Sequence, residues 1–192
     1  PWVVKANVYR LQQRWEDADQ SLAKAIESAP SEVDAYAIRA ELLDQRGETA
    51  RAMAAYEVVL SVHPDHAMAK NNLAWLLASS DSATADELDR AQLLAQDAKE
   101  AFPDDASISD TLGWVMLKKQ IPRAAIPLFR EAIGKARNSF IRATSRYHLA
   151  LAYEQVGESQ KAIAELEIAI AENESFPDRG DAEHALERLR AG

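Results

Sequence analysis

Apolar positions along the chain return in a helical register, three and four residues apart, rather than in strict alternation. A very small residue stands at Ala6, Ala40, Ala74, Gly113 and Ala150. Three residues after each comes Tyr9, Leu43, Leu77, Met116 or Tyr153. A second set begins at Ala18, Ala52, Ala91, Ala125 and Ala162, at intervals of 34, 39, 34 and 37 residues. Four residues after these alanines stand Leu22, Tyr56, Ala95, Phe129 and Leu166, and three further on Ala25, Val59, Ala98, Ala132 and Ala169. The pattern predicts five units of two short amphipathic helices each, with no strand. Neither helix of such a pair can bury its stripe alone, so units must stack.

Punctuation supports the division. Pro30, Pro64 and Pro103 close the first three units, because proline cannot continue the helical ladder. Arg137 and Glu174 stand at that place in the last two. Asp65 and Asp104 follow two of the prolines and suit the next helix start. Gly47 and Gly157 supply turns inside two hairpins. The longer intervals reflect five extra residues within 79–89 and three near 137–143, which belong in loops or helix ends. The units run over about 1–32, 33–66, 67–105, 106–142 and 143–176 of one domain spanning 1–192. An eleventh helix, 181–190, has one apolar face from Ala182, Ala185, Leu186 and Leu189 and a charged back, which suits a terminal cap. The first helix has no such cap and lacks its first turn, so the chain reads as the C-terminal part of a longer repeat protein. Its apolar flank at Val4, Val8 and Leu11 is expected to be partly exposed and to promote self-association.

A base period of 34 with Tyr36, Ala40, Gly47, Ala52, Tyr56 and Pro64 in these places resembles the tetratricopeptide repeat (TPR) family over nearly the whole length. The resemblance implies an all-α right-handed superhelical solenoid of five hairpins plus a C-terminal capping helix. It also implies a non-catalytic scaffold that holds a peptide or protein in its concave groove. The stretches KNNLAWLLA, DTLGWVMLKK and FPDRGDAEHALERL look like the C-terminal end of bacterial TPR proteins that accompany exopolysaccharide production and the exosortase (PEP-CTERM) system. That likeness implies an envelope-associated role in the bacterial periplasm, with the cytoplasm as the other compartment considered.

Leu73-Ala74-Trp75 recurs as Leu112-Gly113-Trp114. At about 100° per residue, the leucine and small residue share the packing face, and the tryptophan points about 150° away from it. In stacked hairpins of the resembled family that side lines the groove. The candidate groove residues are Met68, Asn71, Trp75, Asp110, Trp114, Lys118, Tyr147 and Leu151. Asp34 and Glu41 should make its N-terminal half acidic. The aromatic part suits a peptide, a partner helix or, as the competing reading, the apolar face of a polysaccharide sugar.

Charge and composition remove other classes. A net charge of −9 disfavours nucleic acid, whose phosphates need a basic face. With no cysteine there is no disulfide framework and no thiolate metal site. His63-Pro64-Asp65-His66 falls in an inter-repeat turn without convergent ligands, and no phosphate-cradling glycine run or nucleophile elbow is present. No cofactor, metal, catalytic residue or membrane-spanning segment is expected.

Overall fold

The computed structural model describes residues 1–30 and 33–191. Among them are eleven α-helices and no strand. The chain forms two compact units, Pro1–Leu76 and Leu77–Gly192.

The first unit holds α1 (Trp2–Leu11), α2 (Trp15–Ser28), α3 (Val33–Gln45), α4 (Thr49–Val62) and most of α5 (Ala67–Ser79). Its core starts from Ala6, Ala18, Leu22 and Leu42, all fully buried, with Tyr9, Trp15 and Ile38 packed against them. Ion pairs lace the helices at the edge: Arg39 donates to Asp19 at 2.7 Å, and Arg10 to Glu41 at 2.8 Å. The acidity expected at Glu41 is therefore neutralised by a partner 31 residues away.

The second unit holds the end of α5, α6 (Ala85–Ala101), α7 (Ala106–Lys118), α8 (Pro122–Lys135), α9 (Ser139–Gln155), α10 (Ser159–Glu172) and α11 (Arg179–Ala191). A β-carbon at Gly113 would lie 2.7 Å from the ring of Phe129, which is fully buried. Glycine is what lets α7 lie against this large side chain. At the equivalent places in their own hairpins, Ala6 is matched by Leu22, Ala40 by Tyr56 and Ala150 by Leu166, so alanine serves there even opposite a ring. Helix α9 begins at Ser139, four residues before the repeat boundary expected at 143, so the extra residues lengthen a helix. The capping helix is present and buries Ala182 and Ala185.

Four hairpin turns share one backbone solution. The residue seven after the small one takes positive φ: Gln13 (57°), Gly47 (72°), Gln120 (61°) and Gly157 (80°). In each, the N–H of the next residue reaches back to the carbonyl five positions earlier, as in Glu48 to Leu43 and Ile121 to Met116, both 2.9 Å. The third hairpin has Asp81 at this place, inside its insertion, and restarts at Thr84 with a capping box closed by Glu87.

The aspartates expected to start helices are displaced by one residue. Asp105, not Asp104, caps α7 by accepting from the N–H groups of Ser107 and Ile108. Asp104 pairs with Lys135 instead, at 3.0 Å. At α5 the Nδ1 of His66 accepts from the N–H of Ala69, so His66 takes the role expected of Asp65. The proline sets the turn, but the following two residues decide which side chain reaches the free N–H groups.

Candidate functional site

In the second unit the candidate residues gather around a histidine that the repeat pattern does not single out. His148 on α9 is 1% exposed. Its Nδ1 lies 2.9 Å from Oδ2 of Asp110 on α7. Three rings surround it: Trp114 at 4.6 Å, Phe129 at 5.6 Å and Tyr147 at 5.7 Å between centroids. Burial alone would lower the imidazole pKa. The charge of Asp110, its hydrogen bond and the more distant charge of Asp178 outweigh that, so His148 titrates above the ordinary histidine value.

The outer wall is partly exposed. The Nε1–H of Trp114 donates to Ser79 Oγ at 3.1 Å, and the Lys118 ammonium stands 5.6 Å from the Trp114 ring centre. Tyr147 and Leu151 follow on α9, each partly buried. Burial, together with Asp181 and Asp178, pushes the Tyr147 hydroxyl up to about 12. Burial also raises the pKa of Asp178. His148 opposes that rise, while Asp110 and Asp181 add to it. Two carboxylates, Asp110 and Asp178, thus act on the imidazole, while Asp181 acts on Asp178 and, with it, on Tyr147.

Two candidate residues are not open contact positions. Asp110 is 7% exposed and committed to His148, while its Oδ1 is buried with no hydrogen-bond partner among the described residues. Asn71, in the first unit, is 5% exposed and donates to Asn72 Oδ1 at 3.2 Å. Short polar side chains at these places lie too close to the packed face to reach solvent, whereas the longer ones beside them do. Met68 is 40% exposed, and Trp75 is partly buried on the same helix. Trp114 departs from the simple outward projection: its indole is broad enough to lie back over His148, so part of it is packing.

The pattern of the tetratricopeptide repeat family matches residues 3–61 and, separately, 143–176. The chain carries tetratricopeptide repeats. A TPR repeat-containing protein of Pseudomonas aeruginosa, PA4667, is 25% identical over 134 residues, which are 70% of this chain and 22% of that protein. The chain thus spans about a fifth of the length of this curated relative. Among solved structures, a thermophilic TPR protein of Thermus thermophilus superposes with a TM-score of 0.75 at 17% identity, over 96% of this chain and 97% of the other. A chain of the Cut9–Hcn1 hetero-tetramer of the APC/C gives 0.83 at 18% identity, over 98% of this chain and 35% of that one. PilF of Pseudomonas aeruginosa gives 0.73 at 18% identity, over 98% and 86%. At these identities the likeness establishes the TPR solenoid fold, a fold typical of protein–protein interaction scaffolds.

Proposed function

We infer that this TPR domain is a non-catalytic scaffold, and that its second unit grips a partner segment on the wall made by Trp114, Lys118, Tyr147 and Leu151. The observation that carries this reading is the setting of the partly exposed Trp114 and Tyr147 rings, both packed on His148, beside the carboxylates Asp178 and Asp181. Aromatic anchors supply contact area at small entropic cost. The carboxylates favour a segment with a lysine or arginine next to an apolar residue. Sugar stacking is the weaker reading, because His148 and Lys118 already flank the Trp114 ring. A role in bacterial envelope or exopolysaccharide assembly, in the periplasm, rests on the sequence resemblance alone.

The test is a panel of immobilised peptides and polysaccharides probed with the purified chain. Peptides combining a basic and an apolar residue should be retained, and retention should fall as salt rises. Trp114→Ala should weaken the best binder at least tenfold. The packing on His148 means the same change also costs stability, roughly 1–3 kcal/mol. Affinity must therefore be measured well below the melting point. No retention of basic–apolar peptides, or retention of them that Trp114→Ala leaves unaffected, would overturn the assignment.

A further inference from the structure

A separate cleft lies in the second unit where the α6–α7 turn meets the α8–α9 turn. Its cavity volume is about 540 Å³, within the usual range of roughly 300–1,000 Å³ for ligand clefts. Phe102 and Ile141 line it along with Pro103, Lys135, Arg137 and Asn138. Phe102 is 53% exposed, a large ring left in solvent at the C-cap of α6. The opposite wall comes from the end of α8 and the start of α9, the stretch that holds the three extra residues; α9 has seventeen residues where α3, α5 and α7 have thirteen. The departure from the repeat and the cleft therefore have one origin.

Its charges have separate fates. The Lys135 ammonium is fully engaged: it donates to Pro103 O at 2.6 Å, Glu131 at 2.5 Å and Asp104 at 3.0 Å. Asp105 is spent on the free N–H groups of α7, and Asn138 on the N–H of Ile141. Arg137 is exposed and makes no ion pair among the described residues. It stands where the first three units carry proline. In a chain of net charge −9, an uncommitted guanidinium beside exposed Phe102 is a local reversal of sign. A guanidinium fork matches a carboxylate in two parallel hydrogen bonds, and the adjacent ring offers apolar area.

We propose that this cleft is a second docking site, which takes a short peptide segment carrying a carboxylate next to an aromatic or branched apolar side chain. It does not depend on the Trp114 wall, and its charge preference is the opposite one. The carboxylate pairs with Arg137, and the apolar side chain lies between Phe102 and Ile141. Because Asp104 and Asp105 border the same cleft, a basic segment gains nothing that they have not already given to Lys135 and to α7.

The experiment is selection of displayed seven-residue peptides on the purified chain, followed by titration of the enriched peptides as fluorescent conjugates. Expected is enrichment of Asp or Glu beside Phe, Leu or Ile. Arg137→Glu should weaken these peptides at least tenfold, Arg137→Lys less, and Phe102→Ala about fivefold. Trp114→Ala should leave them unchanged. Both cleft positions are exposed, so the variants should keep the wild-type helical circular dichroism. The proposal fails if no carboxylate-bearing sequence is enriched, if Arg137→Glu has no effect, or if binding is lost in Trp114→Ala, which would assign the peptides to the other wall.

Discussion

At the scale of single residues, the positive-φ turn shows how one backbone demand is met by unequal chemistry. Glycine enters that conformation without a β-carbon penalty, whereas glutamine does so at a cost of roughly 1 kcal/mol or more. Gln120→Gly should therefore stabilise the chain. About 0.5–1 kcal/mol is expected after the greater freedom of glycine in the unfolded chain is subtracted, read as a higher urea midpoint. Gly113 is the opposite case. Alanine there would gain helix propensity, but its methyl would meet the Phe129 ring, so Gly113→Ala should lower stability by about 1–3 kcal/mol in the same assay. Gly47 and Gly157 were legible as turns in the sequence because glycine signals its own conformation. Gln13 and Gln120 were not, since nothing local marks a glutamine for positive φ, and only alignment of the repeats would have shown it.

At the scale of elements, His148 joins α9 to α7 and senses Asp178 ahead of α11. Folding raises its pKa above the unfolded value of about 6.5. Its contribution is thus complete below that pH and is lost as pH climbs through the higher folded value. Asp178, raised chiefly by burial, opposes folding once ionised, so it too favours the lower pH. Urea midpoints should then fall as pH rises above about 6.5, and Asp110→Asn should flatten the slope; a slope unchanged by that variant would point to another group. The pairing spans 38 residues, which is why the sequence did not disclose it: periodicity places a side chain on a face but does not say which distant polar atom it meets. For the same reason, Trp75 and Trp114 were legible as a recurring pair while the partners of Trp114 were not. The helices themselves follow from local pattern, and their number and order were readable throughout.

For the molecule as a whole, repetition supplies an internal control. The positions two before and two after the small residue are Ile38 and Leu42 on α3, Thr111 and Val115 on α7, and His148 and Ala152 on α9. Of these, Ile38 is partly buried and the rest are buried. On α1 the same positions are Val4 and Val8, 68% and 47% exposed, with Leu11 at 86% on the same side. An amphipathic helix normally covers such a stripe. Concentration-dependent self-association through this face is expected in sedimentation experiments, and Val4→Glu with Val8→Glu should abolish it without unfolding α1. A monomer at every concentration would show that the stripe tolerates water.

The third hairpin stands apart because its turn was not preserved. Ser80, Asp81 and Ser82 project into solvent, and Thr84 with Glu87 begins α6 through their own reciprocal hydrogen bonds. The start of that helix takes no instruction from the length of the segment before it. This makes the tip an editing point. A fluorophore, an affinity handle or a tether to a surface can be written in there, leaving both the aromatic wall and the Arg137 cleft for whatever the experimenter wishes to offer them.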